Sequence, residues 1–576
     1  MKGQKLLSYL DKIYEEASVA QRDKRDKYEQ YTNYYKGLIW PKGRPAHKVN
    51  IVINYLKEVI TRKVAMMTDV VPSIDVLPSD ERLFGAAEVL KKVIIALWEE
   101  YSWSDTMQEL LFYDQLYGSA FTNTCWSQEA DWGMGDIAIV VGDPRFYLVD
   151  PFVMRANQIH EAEYIIYEYF KPTSLLRMNY PDRADEIKPT LEVADEKKGF
   201  IWNLMRVLRL RTEAAFKPAI ERSLVKEYWI KDRETKDENG KLLYPTGRFI
   251  KRVGDVILDD EPNPYWDGRF PIDMMDWQFD PDSPFGISEV EDLSPPYRYL
   301  NHMLALVIEN ALLSVSSIWT GDIDSLPPGE LEKLLSNKPM QFIGHRPGKP
   351  IVRQAPPPLP AHQIQSLDFL KGAIDELSGM AEIVRGKRGG VVSAQAIESL
   401  ALLSQSLIRY QAKRLETMLS RIGQKLIARI LQFYTEDRIF YLIGEDEKYY
   451  QFKYYRDDII APLKEVYQND LSRIPPEDVP SYLAKRAFKD FQFKIIAGSS
   501  LALTKVQKAT LAMTLFRLGI IDDEAVLDIL EFPNKKAILE RKRTGRGEAL
   551  PPRTKVKVPQ MKTDRGMPTR GLLRLD

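Results

Sequence analysis

The sequence predicts an α+β fold organised about one long helix, and three observations predict it. Residues 1–115 carry helical spacing with few turn signals. Residues 119–280, and again 438–500, change to aromatic and β-branched runs separated by turn residues, the pattern of short strands. Between the two β-rich stretches lie an apolar-striped helix, a proline-rich excursion, a shorter helix, a basic glycine-containing loop and a helix of about forty residues. Because the β-rich stretches flank the long helix, they are expected to pack into one domain.

Taken in order, KLLSYLDKIYEEASVAQRDKRDKYEQYTNYYKG reads as one charged, weakly amphipathic helix closed by Gly37. NIVINYLKEVITRKVAMM (50–67) reads as a helix entered from Asn50, a favoured capping residue. GAAEVLKKVIIALWEEYSW and DTMQELLFYDQLYG are two more helices, the second closed by Gly118. Next come the expected strands DIAIVV, RFYLV, YIIYEYF, KEYWI and DVILDD, with inserts of helical spacing near Ser174 to Met178 and at Lys197 to Leu210.

The following helix has two start signals. Ser288 and Glu291 make a capping box, and Ser294 precedes Pro295 and Pro296, residues tolerated in a first turn. Leu300, Leu304, Val307, Ala311, Val315 and Ile318 then recur at steps that place them on one face. From Pro295 to Ser317 the helix would span roughly 35 Å. Pro327, Pro328, Pro339, Pro347, Pro350 and Pro356 to Pro358 exclude a continuous helix through the next stretch. Helical spacing resumes with Ile364, Leu367, Ile374 and Leu377, and Gly379 sits at a C-cap position, so the excursion returns to where it left. After EIVRGKRGGVVSAQA, residues Ser393 to Tyr434 would form a helix about 63 Å long. Its apolar stripe runs through Leu400, Leu403, Leu407, Leu415, Met418, Ile422, Leu426, Ile430 and Phe433. A break at Gln411 to Arg414 predicts that not all of this length faces one core, and a coiled-coil register is lost there. Thr504 to Glu540 reads as helical, and from Gly545 onward prolines and glycines among bases read as a disordered tail.

Composition narrows the function. With 576 residues and 44% hydrophobic content the chain can bury several cores. The 81 basic and 82 acidic residues nearly cancel, but eleven bases and three acids fall between Arg541 and Asp576. The tail is thus +8, which leaves −9 on residues 1–540, a balance that suits either ordinary solubility or a channel along which DNA slides. Cys125 is the single cysteine, so no intrachain disulfide forms and a reducing compartment is expected. The opening segment, with Lys2, Lys5, Asp11 and Lys12, does not read as a signal peptide, and the most apolar window, Met303 to Trp319, is interrupted by Glu309 and Asn310.

Enzyme templates fail. GSSLALTK at 498 lacks the second glycine of a phosphate loop. Asp322 and Asp324 begin like a calcium loop, but Pro327 stands at its glycine and Lys333 at its final glutamate. His47, His160, His302, His345 and His362 show no two-histidine metal spacing. Asp273, Asp276, Asp280 and Asp282 could in principle hold two metal ions, although Asp280-Pro281-Asp282-Ser283-Pro284 is better explained as turn chemistry. In the basic loop, Arg385, Lys387 and Arg388 surround Gly386, with Gly389 and Gly390 beside them; the group suits either a solvated hinge or a DNA contact. A proline-rich excursion as long as 319–360 inside a compact domain points to a function of its own.

Read together, these segments resemble the portal protein family of tailed bacteriophages. The resemblance rests on NIVINYLKEVITRKVAMM, YGSAFTNTCW (117–126), GDPRFYLVDPFVM (142–154), FPIDMMDWQFDPDSPFGISEVEDL (270–293), LSGMAEIVRGKRGGVVSAQAIESL (377–400) and GIIDDEAVLDILEFPN (519–534), in that order. It implies a portal-like α+β subunit whose wing has a helical part (1–118) and a β-rich part (119–285) that returns at 438–500. It further implies a two-helix stem (286–318 and 361–378), a clip (319–360), a tunnel loop (379–392), the long helix (393–437), a helical crown (501–545) and the basic tail (546–576).

The resemblance also implies a role. The subunit would be non-enzymatic and would form a homo-oligomeric ring, a dodecamer, around double-stranded DNA at one capsid vertex of the virion, assembled in the bacterial host cytoplasm. Partners would be the terminase large subunit, major capsid and scaffold proteins and the tail adaptor, with no cofactor, metal or membrane. Arg385, Lys387 and Arg388 would face DNA; Glu330, Glu332, Lys333 and Arg346 of the clip would meet motor and adaptor; Leu304, Val307, Ala311 and Val315 would pack between subunits. The rival readings are a DNA-processing packaging enzyme, which needs a carboxylate cluster or phosphate loop, and another ring-forming head–tail adaptor, which lacks the helix–excursion–helix–loop order.

Overall fold

The computed structural model describes residues 3–530 other than 42, 46–47, 70–71, 129, 131–132, 191–219, 316–317, 321, 323–347, 349–351, 355–360, 380–405, 444–448, 472–473, 476–477, 496–511 and 514. The charged opening run is two helices, α1 (Gln4–Ala20) and α2 (Arg22–Tyr35), and not one. Gln21 breaks it: its backbone leaves the helical region, and its buried side chain donates to Val149 O at 2.7 Å. Leu6, Leu10, Ile13 and Ala17, at steps of three and four, pack α1 onto the face of a sheet through Leu148, Tyr164, Ile166, Tyr228 and Ile250. α3 (Tyr55–Thr68) starts at Asn54, not Asn50; Asn54 Oδ1 accepts from Lys57 N at 3.0 Å. α4 (Phe84–Glu100) and α5 (Trp103–Tyr117) follow as expected.

The β-rich stretch contains two antiparallel sheets. In one, β2 (Ser119–Ser127) lies between β3 (Asp136–Gly142) and β9 (Ile272–Asp276). The other runs in sequential order through β4 (Tyr147–Val149), β5 (Tyr164–Pro172), β6 (Arg222–Ile230), β7 (Arg248–Val253) and β8 (Val256–Pro262). α6 (Thr173–Asn179) matches the first insert, while 197–210 lies outside the described residues. β10 (Gln278–Asp280) and β11 (Ser283–Ile287) form a hairpin whose turn is Pro281-Asp282, with Asp280 Oδ1 accepting from Asp282 N at 3.0 Å.

α7 (Glu289–Val315) is capped by Ser288, whose Oγ accepts from Glu291 N at 2.9 Å. The reciprocal half of the box is replaced, since the Glu291 carboxylate takes Lys27 at 2.7 Å. Pro295 and Pro296 lie inside this helix and do not open it. Ser294 Oγ donates to Glu291 O at 3.4 Å, the carbonyl that Pro295 has no N–H to satisfy. Ile318, expected on the helix stripe, stands instead in β12 (Ile318–Thr320), which pairs antiparallel with β13 (Val352–Gln354). The excursion is therefore closed at its base. α8 (Ala361–Leu377) returns along α7 and ends at Gly379 with φ +67°.

α9 (Ser406–Phe433) is the described part of the long helix; 393–405 lies outside the described residues. The compositional break is not a break in burial, because Gln411 and Ala412 are both buried. Ile408, Leu415, Met418, Ile422, Leu426 and Ile430 share one core with residues of α3, α4, α5 and α7. β14 (Arg438–Ile443) pairs with β15 (Tyr449–Tyr454); α10 (Asp457–Val466) and α11 (Val479–Ala487) follow. β16 (Phe491–Ile495) then pairs with β1 (Ile74–Pro78), a strand within the stretch expected to be helical. Residues 1–442 and 449–504 make one compact unit, so both β-rich stretches share it; 443–448 and 505–576 make a second, in which α12 (Asp523–Ile529) is described.

The end of α5 touches the approach to α7 backbone to backbone. Gly118 has φ +84°, and a Cβ there would lie 2.2 Å from Gly286 O. Gly118→Ala is expected to lower unfolding free energy by about 2 kcal/mol or more, from left-handed strain plus collision. Gly43→Ala, at φ +81° but in open space, should cost only about 1 kcal/mol. Urea denaturation of the two variants checks this; equal losses would remove the contact.

Candidate functional site

Four cations recur on one face of α9, spaced by seven, four and four residues: Arg414 and Arg421 are half-buried, and Lys425 and Arg429 are buried. The opposing segment supplies partners in register. Lys425 Nζ lies 2.9 Å from Asp273 Oδ2 and 3.1 Å from Ile272 O, with both side chains buried. Arg429 meets Asp267 at 3.2 Å and covers the Tyr265 ring at 3.5 Å. Arg414 pairs with Asp276 and donates to its carbonyl at 2.8 Å. Arg421 donates to Met274 O at 2.8 Å and Ala156 O at 3.3 Å. On another flank of α9, Gln424 Nε2 donates to Phe491 O at 2.9 Å and its Oε1 accepts from Phe493 N at 3.1 Å, which seats β16. Beyond β9, Trp277 Nε1 donates to Glu289 at 2.9 Å, and Glu289 pairs with buried Lys63 at 2.8 Å, joining α7 to α3.

Three of the four aspartates weighed as a metal cluster have other partners. Asp273 is engaged by Lys425 and by His160, whose Nε2 lies 2.9 Å away; Asp276 is engaged by Arg414, and Asp280 by its turn and by Lys24 at 3.0 Å. Among the described residues no group of three histidine, cysteine or carboxylate side chains converges as a metal ion requires. Burial favours a neutral Asp273, yet Lys425 and then His160 hold its carboxyl well below the usual range. Burial, then the Lys425 charge, holds His160 below the usual histidine value, so it donates Nε2–H as the neutral ring. Burial also pulls Lys425 down to about 8, against the attraction of Asp273.

The sequence-predicted contact residues fall differently. Arg385, Lys387 and Arg388, and likewise Glu330, Glu332, Lys333 and Arg346, lie outside the described residues. On α7, Leu304 and Val307 are half-buried and Ala311 is exposed; Val315 ends the helix. Tyr299, Leu306 and Leu312 are exposed as well, and on α8 so are Ile364, Leu377 and Phe369, the last 75% exposed. Another flank of α7 is strapped by residues 40–54. Glu309 accepts from Val49 N at 3.1 Å and pairs with Lys48 at 3.0 Å and Arg44 at 3.3 Å. Asn301 Oδ1 accepts from Ile53 N at 2.7 Å, and Trp40 meets His302 edge-on at 4.7 Å. Sequence reasoning missed both the strap and the cation ladder, although bases recurring at helical spacing within an apolar stripe signalled the latter.

No helix among the described residues is long and apolar enough to cross a membrane. A family model described as phage P22-like portal protein matches residues 11–561. No curated protein matches the chain.

Acid should weaken the fold in two stages. His160, depressed in the folded state, contributes stability that is complete above its ordinary value of 6.5 and is lost as pH falls through the lower folded value. Asp273, also depressed, contributes stability complete above 3.8 and lost at still lower pH. His160→Gln is expected to flatten the upper stage of a plot of Tm against pH. Asp273→Asn should cost about 3–5 kcal/mol at neutral pH by leaving Lys425 buried without its partner. A wild-type slope below pH 6.5 in His160→Gln would contradict the assignment.

Proposed function

The chain belongs to the P22-like phage portal protein family, and from that premise we propose how its parts serve a portal. The family is a structural, non-enzymatic component of the virion, placed at a capsid vertex and implying an oligomeric ring with capsid, terminase and tail partners. In our reading twelve subunits, assembled in the host cytoplasm, close around double-stranded DNA. α7 and α8 are the stem, 319–360 is the clip that meets motor and adaptor through Glu330, Glu332, Lys333 and Arg346, and 379–392 is the tunnel loop. The long helix (393–437), the flanking wing (1–118, 119–285 and 438–500), the crown (501–545) and the basic tail (546–576) complete the subunit.

The observation that carries this reading is the uncovered apolar surface of α7 and α8. Tyr299, Leu306, Leu312 and Phe369 are exposed although both helices are seated at their base in the main core. Neighbouring subunits cover such a surface in a ring, and a monomer leaves it wet.

Two experiments test the assignment of parts. Ala311 is exposed in the single chain, so Ala311→Asp should leave the subunit folded. In the ring it would bury an unpaired charge, at about 3–5 kcal/mol per interface, and rings should be lost by native mass spectrometry. Normal rings from this variant would misplace the stem contact. Replacing Arg385, Lys387 and Arg388 together with alanine should spare assembly but reduce DNA packaging and retention, independently of genome sequence and increasingly with salt. Wild-type filling across a salt series would rule out the tunnel-loop role.

A further inference from the structure

Beside the ladder of α9 the surface opens into a cleft of about 450 Å³, lined by Arg155, Asp276, Phe279, Tyr410, Arg414 and Arg421 among others. Three guanidinium groups face it against one carboxylate, because Asp276 is the partner of Arg414. Arg421 lies deep. Its Nη atoms serve two backbone carbonyls, while its Nε is buried without a hydrogen-bond partner. Arg155 stands exposed at the rim, 5.5 Å from the Phe279 ring centre. Phe152 and Met154, just before it in the chain, are 81% and 47% exposed, and Phe279 and Tyr410 are exposed too. The recess is thus cationic inside and apolar at its edge.

We propose that this cleft receives an aspartate or glutamate side chain from a neighbouring copy of this chain, and so forms the receiving half of a head-to-tail ring contact. The proposal rests on the ring reading above. A planar guanidinium matches a carboxylate in a two-pronged geometry, and a side-chain tip enters a cleft lined by half-buried guanidiniums more readily than a bulkier group. DNA presents its phosphates on a broad convex rod, which suits protruding side chains such as those of a loop and not a recessed arginine. Charge complementarity also favours a second copy, since residues 1–540 carry a net −9 and acidic surface is in excess. In a closed ring each subunit must present two different patches, one giving and one receiving, and an apolar edge around the charged pair excludes water from it.

The test uses the full-length protein. Arg155→Glu reverses the rim charge at an exposed position, and Thr417→Trp fills the cleft from an exposed position on α9 that also lines it. Both variants are expected to keep the wild-type Tm of the subunit, with ring yield by native mass spectrometry reduced about tenfold or more; Arg155→Lys should retain rings. Should Thr417→Trp fail to fold, Arg155→Glu decides alone. Rings at wild-type yield from Arg155→Glu would overturn the proposal. Normal rings that lose DNA retention would overturn it as well, and would identify phosphate as the occupant. Absence of rings from the wild-type protein would instead overturn the ring reading, leaving the two failures distinguishable.

Discussion

A charge inside a protein must find an opposite charge or several dipoles, and α9 carries two buried cations, Lys425 and Arg429, and two half-buried ones, Arg414 and Arg421, on one face. That demand fixes much of the subunit. β9 and its flanks must lie where Asp267, Asp273, Asp276 and the carbonyls of Ile272 and Met274 can meet them. β16 is seated on the same helix by Gln424, and Gly423 lets the Phe493 ring approach so closely that a Cβ would lie 2.3 Å from it. Since β2 pairs with β9 and β1 with β16, the helix organises strands drawn from both halves of the chain. Breaking one such buried pair costs several kcal/mol, whereas replacing a whole pair by apolar groups need not. The ladder therefore specifies position more than it adds stability.

From this centre a line of polar contacts leads to the two-helix projection. Trp277 continues β9 and binds Glu289, Glu289 binds Lys63, and α7 starts from that anchored residue. Farther along α7 the strap at 40–54 takes Asn301 and Glu309, so two flanks of the helix are held by its own chain. What is left includes the exposed apolar side chains Tyr299, Leu306 and Leu312. A helix held at its base and flank can present such side chains without collapsing onto its own subunit, which is the property a subunit needs if neighbours in a ring are to cover them.

Features governed by adjacent residues were legible in the sequence. Gly118 and Gly379 end helices because φ is positive there, and the turn at Pro281-Asp282 follows from its own side chains. Ser288 was legible as a cap for the same reason. Features decided by distant partners were not. Nothing near Gln21 announces that Val149 O will claim its side chain and break a helix, and Asn50 and Asn54 cannot be ranked as caps without knowing that the strap holds the residues before Asn54 against α7. The prolines of α7 misled because a local rule placed them at a helix start, while Ser288, about two turns earlier, had already capped it. Gln411 and Arg414 looked like a gap in an apolar stripe because their burial depends on what packs across from them, Asp276 for the second. On α7 the residues of the expected contact stripe, Leu304, Val307 and Ala311, are incompletely covered, while the exposed apolar residues Tyr299, Leu306 and Leu312 lie off that stripe.

The central claim is that this chain is built to be completed by copies of itself. Class-averaged electron micrographs of the purified protein test it most directly. The account predicts closed rings with an axial hole and one projecting stem region, in which density from adjacent subunits covers α7 and α8. Dispersed single subunits at micromolar concentration, with the surface around Leu306 and Phe369 left in solvent, would contradict it.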